Sequence, residues 1–280
     1  MHLYETIADL RQAIDSQRRN SLSIGLVPTM GALHAGHLSL IEASKAQNDL
    51  TVCSIFVNPT QFNNPDDLAR YPHTLEADCA LLEAAGCDLV FAPSVAEMYP
   101  TSPVLKINFG ELETVLEGAF RPGHFNGVGI VVAKLFNIVQ PDRAYFGQKD
   151  LQQVAVVKRL VRDLSFPLEL VRMPIVREDD GLAMSSRNRN LSPEERQQAL
   201  ELYRALSKAR AILQTGGSIE AAKTAVGDHF QHQPAFRVEY FEVANADTLQ
   251  AVDQLQAPGA TALCIAAHLG KTRLIDNLIL

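Results

Sequence analysis

Residues 27–37, with the sequence VPTMGALHAGH, decide the fold of this chain. A short apolar strand is predicted over Ser21–Val27, and small, flexible residues follow it. Two histidines spaced i, i+3, His34 and His37, stand where a helical pattern begins. A helix that starts directly after a buried strand presents unpaired N–H groups and positive partial charge, which suit a phosphate. The stretch therefore predicts a strand, a phosphate-binding loop and a helix.

The same alternation of strand and helix patterns extends over the first 175 residues. Further strands are predicted at Leu50–Val57, Asp88–Ala92, Arg143–Gly147 and Leu168–Val176, and helices at His37–Ala46, Leu75–Ala85, Gly127–Val139 and Asp150–Leu164. Residues 59–74 are polar, contain three prolines and are interpreted as a functional loop. Strands that alternate with helices of this length indicate parallel βαβ units. We expect an α/β domain over residues 1–175, with a Rossmann-like, doubly wound parallel sheet.

The pattern changes after about residue 176. A long helix is predicted at Ser192–Gln214, where Ser192 and Glu195 have the spacing of a capping box. A second helix at Ile219–Phe230 precedes strands at Phe236–Ala244 and within residues 260–280. Residues 176–280 are therefore predicted to form a smaller C-terminal α+β domain that acts as a lid.

Composition narrows the class of protein. The 280 residues include 25 basic and 32 acidic side chains, a net charge of −7, which argues against a nonspecific partner such as nucleic acid or an anionic membrane. The four cysteines form no C-x-x-C pair, and the N-terminus has no signal-peptide pattern. We expect a soluble, cytoplasmic protein that binds small molecules.

Two interpretations of the histidine pair compete with phosphate binding. A zinc site is disfavoured because the i, i+3 spacing differs from that of H-E-x-x-H and no cysteine lies close in sequence. Alternatively, His34 caps the helix and His37 lies at the surface. The stretch Asn20–Ile41 contains no Lys, Arg, Asp or Glu, which is expected where a polyanion meets backbone N–H groups and neutral imidazoles.

Five motifs in order carry a resemblance that spans most of the chain. They are P-T-M-G-A-L-H-x-G-H at 28–37, F-V-N-P-x-Q-F at 56–62, R-P-G-H-F-x-G-V at 121–128, Y-F-G-Q-K-D-x-Q-Q at 145–153 and G-L-A-M-S-S-R-N at 181–188. Together they resemble the pantothenate synthetase family of the nucleotidylyltransferase superfamily, in which H-x-G-H contacts ATP phosphates.

The resemblance implies an AMP-forming ligase. In that reaction pantoate and ATP give pantoyl adenylate and pyrophosphate, and β-alanine then displaces AMP to form pantothenate. It also implies a homodimer formed through the N-terminal domain. Mg²⁺ is expected to travel mainly on the ATP phosphates and water, because the sequence shows no compact cluster of carboxylates.

The same resemblance assigns the site residues. The catalytic residues are expected to be His34, His37, Lys149 and Arg187. ATP is expected to contact Met30, Gly31, Ala32, Leu33, His34, Ala35, Gly36, His37, Gly147, Gln148, Lys149, Asp150, Val176, Met184, Ser185, Ser186 and Arg187, with Asp150 on a ribose hydroxyl and Val176 against adenine. Gln61 and Gln153 are expected to bind the small acid, while Arg121 and His124 have either a binding or a structural role.

Two other functions stay open at this point. The chain could be a nucleotidylyltransferase that transfers AMP to a phosphorylated acceptor, although the Gln61 and Gln153 motifs and the C-terminal region argue against this. It could also be a silent nucleotide-binding protein. Intact His34, His37, Lys149 and Arg187 oppose that interpretation.

Overall fold

A computed structural model describes all 280 residues, and its larger sheet has six strands. These are β1 (His2–Tyr4), β2 (Ile24–Thr29), β3 (Leu50–Ile55), β4 (Leu89–Phe91), β5 (Arg143–Gly147) and β6 (Glu169–Met173). They lie in the order β1-β4-β3-β2-β5-β6, and every pairing is parallel. The predicted doubly wound α/β sheet is confirmed.

Helices connect these strands. They are α1 (Ile7–Arg18), α2 (Ala35–Gln47), α3 (Pro65–Ala69), α4 (Leu75–Ala84), α5 (Val95–Met98), α6 (Leu116–Phe120), α7 (His124–Val139) and α8 (Leu151–Asp163). Short 3₁₀ turns occupy Pro59–Gln61, Gly110–Glu113, Gln148–Asp150 and Ser186–Asn190. No helix of the chain is long and apolar enough to cross a membrane.

The strand order locates the place where a ligand can bind. From β2 the chain builds β3 and β4 toward one edge of the sheet, and it then returns to build β5 and β6 toward the other edge. Strands β2 and β5 are neighbours, so the loops that follow Thr29 and Gly147 diverge from one point. Open α/β sheets bind ligands in the crevice at such a switch point, outside the carboxyl ends of the strands.

The C-terminal region adds three helices and an antiparallel sheet. The helices are α9 (Pro193–Gln198), α10 (Leu200–Gln214) and α11 (Ile219–Gln231), and the strands are β7 (Phe236–Asn245), β8 (Thr261–Leu269) and β9 (Thr272–Ile279). One hydrophobic cluster lies entirely between Leu182 and Leu274, and the largest lies between Leu10 and Leu160. A smaller cluster joins the regions, packing Leu116 and Leu151 against Ala262 and Cys264. The boundary at residue 175 stays a prediction.

Four features differ from the sequence-based expectations. Strand β1 and helix α1 were not predicted, because β1 has three residues and α1 buries only Leu10 and Ile14. The long helix expected at Ser192–Gln214 is divided at Ala199, where the Leu202 N–H donates to the Ala199 carbonyl at 3₁₀ spacing. The region 59–74 is not all loop, since it contains a 3₁₀ turn and α3.

Candidate active site

The loop between β2 and α2 has an unusual backbone that a buried carboxylate holds in place. Gly31 and Ala32 have positive φ angles of 82° and 52°. The N–H groups of Ala32 and Leu33 donate to Asp78 Oδ2 (2.9 Å) and Oδ1 (2.8 Å), and the Thr74 hydroxyl donates to Oδ2 (3.0 Å). Because a left-handed alanine is strained, we infer that these bonds to Asp78 on α4 stabilise the loop.

His34 and His37 cap the first turn of α2 reciprocally. The Gly36 N–H donates to His34 Nδ1 (3.1 Å), and the His34 N–H donates to His37 Nδ1 (3.3 Å). The two rings are adjacent, with centroids 4.1 Å apart. Since each Nδ1 accepts a hydrogen bond, each neutral ring carries its hydrogen on Nε2. The pair therefore combines helix capping with two free Nε2–H donors.

Both imidazoles are held in the neutral form. Burial, followed by the positive charges of Lys149 and Arg189, lowers the pKa of His34 to about 4. Burial and the neighbouring His34, Lys149 and Arg189 lower the pKa of His37 to about 3. At neutral pH the rings therefore donate without carrying charge.

We expect both rings to remain neutral at pH 5.5, where a histidine with an ordinary pKa near 6.5 is mostly protonated. Long-range ¹H–¹⁵N spectra of imidazole nitrogens measure this directly, and imidazolium shifts for His34 and His37 at pH 5.5 would contradict it. The unfolded chain takes up these two protons as pH falls through about 6.5, whereas the folded chain does so only near pH 4 and 3. Stability from this pair is therefore complete above pH 6.5 and decreases as pH falls below it.

Strand β5 delivers a lysine to the same crevice. Lys149 lies in the 3₁₀ turn between β5 and α8, and no carboxylate oxygen lies within 4.0 Å of its Nζ. The Asn277 side-chain amide on β9 donates to the carbonyls of Gln148 (3.0 Å) and Lys149 (2.9 Å). The Gln148 side chain points to this asparagine (3.2 Å). The C-terminal sheet thus supports the turn that carries Lys149.

A hairpin and a 3₁₀ turn cover the crevice from the C-terminal side. The Met184 N–H donates to the Val176 carbonyl (3.0 Å), while the Val176 N–H has no hydrogen-bond partner in the chain. In the turn that follows, the Arg187 guanidinium pairs with Asp67 on α3 (3.3 Å). The Arg189 guanidinium donates to the Leu33 carbonyl (2.9 Å). Both arginines therefore tie this segment to the sheet domain.

Two buried amides, Asn58 and Gln61, line another part of the crevice. The Asn58 amide donates to Gln61 Oε1 (3.0 Å) and to the Gly127 carbonyl (3.1 Å), while its Oδ1 accepts from the Tyr99 hydroxyl (2.9 Å). A Cβ on Gly127 would lie 2.4 Å from the Thr60 carbonyl oxygen, so only glycine lets α7 approach this turn. The Gln61 side chain is thereby held beside Met30.

A cavity of about 210 Å³ unites most of the predicted site residues. Of the predicted residues, its lining contains Met30, His34, Gly36, His37, Gln61, Gly147, Lys149, Asp150, Gln153, Val176, Met184, Ser185, Ser186 and Arg187. Arg121 and His124 also line it, as do Tyr71 and Asn58. Five predicted residues do not line it, namely Gly31, Ala32, Leu33, Ala35 and Gln148. The N–H groups of Ala32 and Leu33 are taken by Asp78, and Gln148 faces Asn277.

A comparison of this sequence with known proteins identifies the family of the chain. The family model described as pantoate-beta-alanine ligase matches residues 2–279. The chain belongs to this family. Pantothenate synthetase of Bacteroides thetaiotaomicron is 50% identical over 278 residues, covering 99% of this chain and 98% of the relative. That of Moorella thermoacetica is 51% identical over 281 residues, covering 100% and 99%.

Solved structures of pantoate–β-alanine ligases have the same fold. Pantothenate synthetase from Thermus thermophilus superimposes with a TM-score of 0.94 at 48% identity, covering 100% of this chain and 99% of that one. The ligase from Francisella tularensis, complexed with beta-gamma ATP and beta-alanine, has a TM-score of 0.83 at 35% identity, with coverage of 100% and 97%. The resemblance stated from the five motifs is confirmed.

Asp78 is a residue of this pantoate–β-alanine ligase fold that the sequence did not single out. It is 2% exposed, and both of its oxygens accept from the loop before α2. Its sequence signal is weak, because an acid in the first turn of a helix such as α4 is ordinarily at the surface.

Asp78→Asn is expected to lower the free energy of unfolding by about 1–3 kcal/mol, because an amide NH₂ would face a backbone N–H in a buried site. Urea unfolding measures the change. The control is Asp228→Asn, an exposed acid on α11. Equal stability of the two variants would mean that Asp78 does not hold the loop.

Proposed function

We propose that this chain condenses pantoate with β-alanine at the expense of ATP, forming pantothenate, AMP and pyrophosphate through pantoyl adenylate. The observation that carries the proposal is one cavity at the switch point of the sheet, which His34, His37 and Lys149 line together with Gln61 and Gln153. The positive and neutral donors suit a triphosphate, and the uncharged amides suit a dihydroxy acid. Membership of the family supports the same reaction.

In the first step the pantoate carboxylate attacks the α-phosphorus of ATP. We infer that the enzyme accelerates this step by positioning the reactants and by stabilising the developing charge. The Nε2–H groups of His34 and His37 donate to phosphate oxygens, and Lys149 neutralises the charge that develops as pyrophosphate leaves. Arg187 joins them with Ser185 and Ser186 when it releases Asp67. These roles agree with the lining of the cavity and with the neutral histidines.

The acid and the nucleoside occupy different walls in this proposal. Gln61 and Gln153 hold the hydroxyls and carboxylate of pantoate, and the side chain of Gln153 makes no hydrogen bond within the chain that would have to break first. Asp150 takes a ribose hydroxyl, and the free Val176 N–H faces adenine. In the second step the β-alanine amine attacks the acyl carbon, the bond to the AMP oxygen breaks, and AMP leaves.

Mg²⁺ is proposed to arrive with ATP. Asp150 is the one carboxylate among the residues that line the cavity, and no cluster of three or more metal-ligating side chains occurs in the chain. This donor set fits an ion coordinated mainly by phosphates and water, as Mg²⁺ often is.

The proposed assembly is a homodimer formed through residues 1–175. Residues 176–280 are proposed to close over the cavity as a lid. The enzyme is proposed to act in the cytoplasm, where ATP is available. The turn Ser186–Asn190 touches the sheet domain through the ion pair of Arg187 with Asp67 and the hydrogen bond from Arg189 to the Leu33 carbonyl. We propose that these contacts form when the lid closes and break when it opens. Light scattering checks the assembly, and a purely monomeric mass would reject the dimer.

Isotope exchange tests the reaction. Pantoate with ATP and Mg²⁺ is expected to support exchange of labelled pyrophosphate into ATP without β-alanine, and full turnover is expected to release AMP. Formation of ADP would reject the mechanism. ATP binding without exchange would favour a silent nucleotide-binding protein, and AMP transfer to a phosphorylated acceptor would favour a nucleotidylyltransferase.

A further inference from the structure

An ion cluster around the buried Glu117 joins helix α6 to the C-terminal sheet. Arg273 on β9 donates from Nη1 to Glu117 Oε2 (2.7 Å) and from Nη2 to Glu117 Oε1 (2.7 Å), a two-pronged ion pair. The Tyr240 hydroxyl on β7 donates to the same Oε1 (2.8 Å). On its other edge, the Arg273 guanidinium donates from Nε to Glu239 Oε2 (2.8 Å). None of these four side chains lines the cavity of about 210 Å³ that contains the predicted site residues.

Glu117 is charged although it is only 8% exposed. Burial opposes ionisation, but the hydrogen bonds and charge of Arg273, with the Tyr240 hydroxyl, outweigh it and hold the pKa of Glu117 at about 2. The backbone there is fixed separately, because the Glu117 N–H donates to the Gln152 side chain (2.8 Å), which in turn donates to the Val115 carbonyl (2.9 Å). A fixed negative charge therefore stands at this point of the fold.

A chain of polar contacts leads from Glu117 into the cavity. Arg121 Nη1 lies 3.7 Å from Glu117 Oε2 and 3.2 Å from His124 Nε2. Since a guanidinium can only donate, His124 Nε2 accepts and the ring hydrogen lies on Nδ1, which donates to the Gln61 carbonyl (2.8 Å). Arg121, His124 and Gln61 all line the cavity, so the position of each affects what the cavity binds.

We propose that Glu117, held by Arg273 of the C-terminal sheet, is a positioning residue that orients Arg121 and, through His124, the turn that carries Gln61. The proposal rests on the function above and adds a dependence of the acid pocket on the C-terminal sheet. Removing the charge of Glu117 releases Arg121 from its anchor, and His124 Nε2 then loses the donor that faces it. No hydrogen bond joins this chain of contacts to the ATP-binding residues on α2 or in the turn 148–150, although Glu117 and Arg121 line a smaller pocket together with Lys149 and Asp150.

The test compares Glu117→Gln with Glu242→Gln, which removes an equal charge from β7, where Glu242 pairs with Lys223. Glu117→Gln is expected to raise the KM for pantoate by about tenfold, which corresponds to about 1.4 kcal/mol, because Arg121 loses the negative charge that anchors it. The KM for ATP and kcat are expected to stay within about twofold, and Glu242→Gln should match wild type. Partial unfolding alone would instead lower kcat and leave the KM for pantoate unchanged.

A double-mutant cycle completes the test. If Glu117 acts through Arg121, then Glu117→Gln adds little to the KM for pantoate once Arg121→Gln is present. Should Glu117→Gln fail to fold, Arg273→Lys keeps the charge but removes the two-pronged geometry, and it should raise the same KM by a smaller factor. Additive effects, or an unchanged KM in an active enzyme, would overturn the inference alone. An inactive wild type would overturn the proposed function and this inference with it.

Discussion

Replacing His37 with alanine is expected to slow formation of the acyl adenylate by roughly 10²-fold or more, the scale for losing one preorganised donor to a transition state. The His37 side chain is half-buried and neutral, with its pKa lowered to about 3 by desolvation and by nearby positive groups. Its Nδ1 accepts from the His34 N–H, so only Nε2–H remains for a phosphate oxygen. Pantoate-dependent exchange of pyrophosphate into ATP measures the rate.

Two further substitutions separate the donor from the helix cap. In His37→Asn the amide oxygen lies near the position of Nδ1 and can still accept from the His34 N–H, but the distant donor is lost. In His37→Gln an amide N–H lies near the position of Nε2. Asparagine is therefore expected to be as slow as alanine, and glutamine to recover part of the rate. His232→Ala, at the exposed end of α11, is the control. A wild-type rate in folded His37→Asn would remove the imidazole from the mechanism.

The strand, loop and helix around His34 could be predicted because their signals are local. Apolar residues of β2 are followed at once by glycines and by the pattern of α2, and βαβ alternation then implies a parallel sheet with its switch point beside this loop. The free Nε2–H groups follow from the same short segment, since the Nδ1 of each histidine accepts from a backbone N–H within it. Such features depend on residues only three or four apart.

The motifs placed the distant residues that line the cavity, but the buried acids that support the site could not be predicted, because their partners come from distant parts of the chain. The N–H groups of Ala32 and Leu33 suggested a phosphate cradle, yet Asp78, 46 and 45 residues away, accepts from them. The ion pair of Glu117 with Arg273 spans 156 residues. Neither acid differs in sequence from an ordinary surface carboxylate of a helix. Only the packing of α4 and of the C-terminal sheet makes them buried acceptors.

Lys149→Met is expected to reduce the rate of adenylate formation by about 10³-fold, because the variant loses a full positive charge where pyrophosphate leaves. Lys149 lines the cavity, and no carboxylate lies within 4.0 Å of its Nζ. Its charge is therefore free for a phosphate. Its backbone carbonyl is held by the Asn277 amide, so the turn should survive the substitution.

The matched control is Lys158→Met on α8, where an exposed lysine pairs with Asp247 at 2.8 Å. That surface pair contributes at most about 1 kcal/mol to stability, and its loss should leave the exchange rate unchanged. If the lysine acts on the leaving pyrophosphate, Lys149→Met lowers the rate far more than it weakens binding of pantoate. A proportional rise in the KM for pantoate with unchanged kcat would instead assign Lys149 to the acid pocket, and equal rates in both variants would exclude it from the reaction.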